Sequence, residues 1–338
     1  MTMIITMSSA NAVPLTMAVS EYDHLRDLVD GRVEVQGVDL RCLTLPVEEL
    51  FFRFTQFREW DVSELSMGKY CALRSRGDDS LRAIPVFPSR MFRHSAIFVR
   101  ADGPVDDPAA LRGGRIGIPE WTVTATIYGR ALLQYEYGVG LEDVRWVQGG
   151  TNEPGRIETL PTALPDGVRV ERVSDASLTD LLVAGELDAV IAPHPPHALT
   201  DGSGRVVRLF SDPTAVERAS FAATGVFPIM HVIALRADID DAHPWIAGNL
   251  VRAFSEARDR SLARVRDMNA SRLPVPWGAA EANAAFAAFD GDPWPYGLEP
   301  NRTTLDAFLG YAHEQGVCAK RLAPEDLFDE RVHASFRI

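Results

Sequence analysis

Lysine is nearly missing from this chain: only Lys69 and Lys320 occur, against 32 arginines. Schiff-base chemistry therefore has few candidates, while bidentate capture of carboxylates by guanidinium forks has many. Cysteine is scarce as well. Cys42, Cys71 and Cys318 are odd in number, widely spaced and mostly set among apolar neighbours, so they read as reduced packing residues and not as a disulfide framework or a zinc site. No stretch approaches the ~20 apolar residues of a membrane span. The opening "MTMIITMSSANAVPLTM" lacks the basic start and sustained apolar run of a secretory signal, which makes a cytoplasmic location the expectation. Nucleotide signatures are also missing: "GRIGIPEWTVTA" (114 to 125) puts glycines after a strand but fits neither the P-loop nor G-x-G-x-x-G. There are no internal repeats, heptads or low-complexity tracts. Cations are outnumbered overall. A formal net charge of −13 repels phosphate backbones on average, so nucleic acid is not an expected partner.

What is present is enough apolar material for a large core: 46% of 338 residues, a length that favours two lobes. "VPLTMAV", "VDLRCLTL" and "DVSELSM" read as strands separated by the helices "YDHLRDLVDG" and "PVEELFFRFTQFREW". A second alternating unit begins after residue 100 with "RIGIPE", a helix opened by Thr122 and Thr124, "VRWVQGG", "VRVERVSD", "SLTDLLVAGE", "LDAVIAP" and "VVRLF". "GVFPIMHVIALR" then carries the chain back, and a long helix from "HPWIAGNL" follows. This order predicts an α/β protein of two lobes, the second inserted in the first, with a cleft between them. The boundaries expected are 1–99 and 232–338 for the discontinuous first lobe and 100–231 for the inserted one, with crossing strands near 94–102 and 226–236.

Polar residues inside apolar runs mark the candidate site. Ser63, Glu64 and Ser66 fall at the end of the third strand, where ligands sit in open parallel sheets. "FPSRMFRHS" sets Arg90, Arg93 and His94 beside Phe87 and Phe92, and in an extended chain Arg90 and His94 share a face while Arg93 takes the other. The helix start at Thr122 to Ala125 offers outward amides to an anion. His231 follows a Phe-Pro corner on a predicted crossing, where concave sites tend to form. His194 and His197 lie three apart on a Pro-rich loop, a weak spacing for zinc.

Seven stretches carry a resemblance: "SELSMGKY" (63 to 70), "AIPVFPSRMFRHSAIFVR" (83 to 100), "GRIGIPEWTVTA", "GELDAVIAP" (185 to 193), "TGVFPIMHVIALR" (224 to 236), "HPW" (243 to 245) and "DPWPYGLEPNRTTLDAFLGYAHEQG" (292 to 316). In order along most of the chain, they resemble the 4,5-dihydroxyphthalate decarboxylase family, whose fold is like that of type II periplasmic binding proteins. The resemblance implies decarboxylation of a hydroxylated aromatic dicarboxylic acid to 3,4-dihydroxybenzoate and CO2, by protonation of the carboxyl-bearing carbon. It implies no organic cofactor and a small aromatic carboxylate as partner. The expected roles are His231 as general acid or base, Glu64 as its partner base and His94 as a second proton-transfer or orienting group. Arg90 or Arg93, with the amides near Thr122 and Thr124, would hold the retained carboxylate, and Phe87, Phe92 or Trp121 would sandwich the ring. Ser63, Ser66 and His194 complete the expected binding set, although an arginine is more usual in this family at the last position.

A divalent metal is left open, with His94, His231, Glu64 and Glu120 as its candidate ligands. Assembly into a homo-oligomer is open too. The rival readings are a solute-binding protein that closes on an aromatic acid without chemistry, and an enzyme of the same fold acting on a different acid.

Overall fold

The structure, a computed structural model, describes residues 12–333 except 268, 271 and 273. Most of the opening segment weighed above as a signal peptide lies outside the described residues. From the N-terminus the strands are β1 (Val13–Val19), β2 (Val38–Thr44), β3 (Val62–Ser66), β4 (Leu81–Ile84), β5 (Ile97–Arg100), β6 (Arg115–Ile118), β7 (Arg145–Gln148), β8 (Arg169–Arg172), β9 (Ala189–Ile191), β10 (Val206–Arg208) and β11 (His231–Arg236). They form two sheets, one of five strands in the order β2-β1-β3-β11-β4 and one of six in the order β10-β5-β9-β6-β7-β8.

The two-lobed α/β organisation expected from the sequence is present. In the first sheet β1, β2 and β3 run parallel, and β11 enters antiparallel between β3 and β4. In the second, β6 to β9 run parallel, β5 runs against them beside β9, and β10 pairs antiparallel with β5 at the edge. Both sheets have helices against them, so the central strands are near-continuous apolar runs, as sheets covered on both faces require. All five residues of β3 are buried. Its Glu64 is therefore a carboxylate inside a core strand.

Hydrogen bonding moves the expected boundaries. The whole of β5 belongs to the second sheet, so residues 97–99 are not part of the first lobe; β11 joins the first sheet from His231, one residue before the expected return at 232. The crossings are also less regular than two strands. Between β4 and β5 the chain bends and makes one bridge, Arg90 opposite Ile229, and the turn His94–Ala96 precedes β5. Pro228 explains the late start of β11: a residue without N–H cannot donate to a ladder, and its carbonyl instead accepts from Met91 N at 3.1 Å.

Four α-helices were not anticipated. Met67–Ser75 starts directly after β3, Pro213–Thr224 is opened by Asp212 accepting from Ala215 N, the short Ala237–Ala242 follows β11, and Gly278–Ala288 is alanine-rich. The first of these matters for the site. A methyl group at Gly68 would come within 2.5 Å of the Thr122 carbonyl oxygen, so only glycine lets the first lobe approach the second this closely.

Candidate active site

His231 opens β11 directly opposite Ser66, and Ile233 stands opposite Glu64. Residues two apart on a strand, and those facing them across the ladder, project to the same side. Glu64, Ser66 and His231 therefore share one face at the end of β3, with Glu64 and His231 as diagonal neighbours. His231 Nδ1 lies 2.5 Å from Glu64 Oε1. The same oxygen accepts from the Tyr22 hydroxyl at 2.6 Å, and Glu64 Oε2 accepts from Ser20 N at 2.8 Å. Both Tyr22 and Ser20 sit just past β1, the strand beside β3. Burial first, and then the Glu64 charge, raise the Tyr22 pKa far above its ordinary value, so the phenol keeps its proton and donates.

Glu64 has no exposed surface, while the His231 side chain keeps 16%. The carboxylate thus has no direct contact with solvent, and the partly exposed imidazole keeps its Nε2 for a ligand. Phe51, from the helix Val47–Phe57, sets its ring 4.8 Å from that of His231, edge to face. Above this floor the lobes meet. Thr124 Oγ1 lies 3.0 Å from Ser66 Oγ and accepts from Gly68 N at 3.0 Å. Further out, Glu120 of the second lobe meets Lys69 of the first at 3.5 Å and Arg156 at 2.8 Å, and Arg156 reaches back across to Glu48 at 2.7 Å. These contacts join the two lobes across the cleft.

Comparison with known proteins agrees with the resemblance read from the sequence. A curated 4,5-dihydroxyphthalate decarboxylase of Comamonas testosteroni is 38% identical over 325 residues, covering 96% of this chain and 98% of that one. The chain belongs to the 4,5-dihydroxyphthalate decarboxylase family. A second curated relative of that name, from Pseudomonas putida, is 41% identical over 204 residues, 60% of this chain and 79% of its own. No family model matches the chain. Among solved structures, the periplasmic aliphatic sulphonate binding protein SsuA of Escherichia coli superposes with a TM-score of 0.54 at 14% identity, covering 95% of this chain and 99% of SsuA. That likeness establishes the two-lobed binding-protein fold alone.

Within this member of the decarboxylase family, the structure brings some of the anticipated residues together and places the others elsewhere. Glu64, Ser66, Thr124 and His231 meet in the cleft. Ser63 does not: its hydroxyl donates to Ala18 O and Glu64 O on the other face of β3, as alternation requires. Arg93 and His94 lie behind the cleft floor. The Arg93 guanidinium contacts Met230 Sδ at 2.7 and 3.1 Å, and Met230, one residue before His231, points away from it. His94 Nε2 pairs with Glu136 at 3.2 Å.

Arg90 is buried and bonds two carbonyls, Phe227 O at 3.0 Å and Pro295 O at 3.3 Å, with its guanidinium 4.5 Å over the Phe227 ring. Burial pushes Arg90 and Arg93 down to about 10, and among the described residues neither has a carboxylate within salt-bridge distance. The expected ring-sandwiching aromatics are engaged elsewhere. Phe87 packs on Phe328, Phe92 stacks on Phe227 at 5.0 Å, and Trp121 donates to Gln315 O under the Arg130 guanidinium. Phe51 takes the position beside His231. It and Tyr22 escaped the sequence reading because only tertiary contact joins them to Glu64 and His231.

The amides before the helix Thr124–Tyr137 do bind an anion, but an internal one. The Glu158 carboxylate accepts from Trp121 N at 2.5 Å, Thr122 N at 3.3 Å and Thr122 Oγ1 at 2.5 Å. His194 is exposed and stands 3.7 Å from Glu48. Of the four metal-ligand candidates only Glu64 and His231 come together; among the described residues no three His, Cys, Asp or Glu side chains converge as a metal site. Among the described residues, no helix is long and apolar enough to cross a membrane.

Proposed function

We propose that this chain decarboxylates 4,5-dihydroxyphthalate to 3,4-dihydroxybenzoate and CO2 in the cytoplasm. The observation that carries the reading is the His231–Glu64 pair, a 2.5 Å contact that leaves one imidazole nitrogen free at the cleft. Family membership supports the substrate, since both curated relatives bear that name.

Each carboxylate of this substrate is para to a hydroxyl. Loss of the hydroxyl proton to solvent water moves electron density onto the carboxyl-bearing carbon. His231 Nε2–H then donates its proton to that carbon, giving a keto intermediate. The carbon–carbon bond breaks, CO2 leaves, and its electron pair restores the aromatic ring and the phenolate, which regains a proton. The ring is its own electron sink, so no organic cofactor is required. Glu64 holds the Nδ1 proton and stabilises the imidazolium, while the neutral Tyr22 phenol fixes the carboxylate. Glu64 thus acts on His231, with no surface from which to reach the ring itself. Phe51 borders the ring, and Lys69 and Arg156, the cations at the cleft mouth, replace Arg90 and Arg93 as the clamp for the retained carboxylate.

The test mixes purified protein with 4,5-dihydroxyphthalate, with and without a chelator, and follows CO2 and 3,4-dihydroxybenzoate. Release of both in each arm is expected. Loss under chelation brings in a divalent ion on the catechol oxygens, whereas tight binding without turnover replaces the reading with a solute-binding one.

A further inference from the structure

The segment that carries His231 has a second face. Met230 points the opposite way, and behind it a cavity of about 120 Å³ opens among residues of both crossings and three helices. Arg93 lines it. Arg93 as a residue is 7% exposed, yet among the described residues the side-chain partners of its guanidinium are the thioethers of Met230 and Met91. A charge taken out of water and left without a counter-ion is costly, and proteins keep such groups paired. The acids nearby, Glu217 and Glu136, bond other groups and make no ion pair with it. Glu217 accepts from Ser95 N, and Glu136 pairs with His94 and accepts from Ser220 Oγ.

The cavity also offers polar groups beside that cation. Tyr128 accepts from Ile229 N through its hydroxyl oxygen at 3.2 Å, which leaves its own proton to donate. Among the described residues His94 Nδ1 is buried with no partner, and Glu136 can accept from a hydroxyl. The remaining wall is largely apolar and aromatic, with Phe92, Pro228 and Tyr311. The volume is well below the roughly 300 Å³ at which drug-sized sites begin, and equals about four waters at ~30 Å³ each. A ligand of one small ring fills it.

We propose that this hinge cavity is a second carboxylate site, separate from the His231 cleft, which takes a small hydroxylated aromatic monocarboxylate. The carboxylate pairs with Arg93 and the Tyr128 hydroxyl, the ring lies among the aromatic walls, and the ring hydroxyl donates to Glu136. Because the cavity touches residues 92–94 on one crossing and Val226 and Pro228 on the other, both crossings contact the bound acid.

The experiment is calorimetric titration of the whole protein with 4-hydroxybenzoate and, separately, with benzoate. Wild type and His231→Gln are expected to bind 4-hydroxybenzoate equally, one per chain at the hinge, and benzoate more weakly. Arg93→Met, which keeps the length and removes the charge, should weaken binding at least tenfold. Ala131→Leu, which fills the cavity from the helix Thr124–Tyr137 with the guanidinium intact, should do the same and carries the test if Arg93→Met does not fold. Unaltered binding in Ala131→Leu, loss in His231→Gln alone, or no heat with wild type overturns the site. These readouts need no turnover, so a failure of the cleft chemistry is seen separately in the CO2 assay.

Discussion

Nδ1 of His231 lies 2.5 Å from Oε1 of Glu64, though 167 positions separate them in sequence. The antiparallel insertion of β11 beside β3 creates this pair, and the fully buried carboxylate has the imidazole as its route to the cleft. His231→Gln should lower kcat by roughly 10²- to 10⁴-fold, the range for a lost proton-transfer group. Glu64→Gln should also lower kcat, by at least roughly tenfold with little change in KM, because the amide cannot balance the imidazolium. Steady-state rates of CO2 release decide both, and near wild-type turnover in His231→Gln retires the assignment.

Glu158 sits on the amides of Trp121 and Thr122, where an incoming carboxylate was expected to bind. The Arg130 guanidinium is stacked 3.8 Å over the Trp121 ring, adding positive charge behind the same spot. If a substrate carboxylate competes for this place, Glu158→Gln should lower KM by roughly threefold or more, with kcat unchanged, since a weaker internal acceptor is easier to displace. A raised KM would instead assign Glu158 to holding its loop in place.

Arg156 joins the lobes by bonding Glu120 and Glu48. Burial alone would raise the Glu48 carboxyl, but the Arg156 guanidinium more than reverses this and holds it below its ordinary value. With Glu48 half exposed, a bridge of this kind contributes about 1 kcal/mol or less. Arg156→Ala should therefore shift the ligand-free protein toward open lobes, seen as a larger radius of gyration in X-ray scattering, and raise KM. Equal scattering curves from the two proteins would show that the Ser66–Thr124 contact closes the cleft without it.

The alternation of strands and helices was legible because apolar runs of strand length are bounded by turns, and Glu64 and His231 stood out as titratable groups inside such runs. The arginines misled for a physical reason. Their proximity to His231 in the fold is real, but Met230 turns Arg93 to the opposite face, and the carbonyls of Phe227 and Pro295 hold Arg90. No local pattern announces Tyr22, Phe51 or Glu158, each of which reaches its partner from a different element. The helix Pro213–Thr224 has no fully buried residue, so it lacks the one-sided apolar stripe by which helices are read.

His24, two residues beyond Tyr22, gives the last prediction. Its ring lies between those of Tyr22 and Trp294, at centroid distances of 5.3 and 5.1 Å, and its Nε2 lies 3.0 Å from Pro88 O. Burial pushes its pKa down to about 4, against ~6.5 for a free imidazole. Between these values the unfolded chain takes up a proton that the native chain refuses. Its contribution to stability is therefore complete above about pH 6.5, falls as the pH drops toward about 4, and changes no further below that. At ~1.4 kcal/mol per unit the loss reaches about 3 kcal/mol. His24→Gln keeps a donor for Pro88 O and removes the titration, so urea unfolding at pH 7, 5 and 4 should show a shallower decline in the variant than in wild type. Parallel declines would mean that other groups cause the acid sensitivity and that the His24 imidazole takes up its proton alike in the folded and unfolded chain.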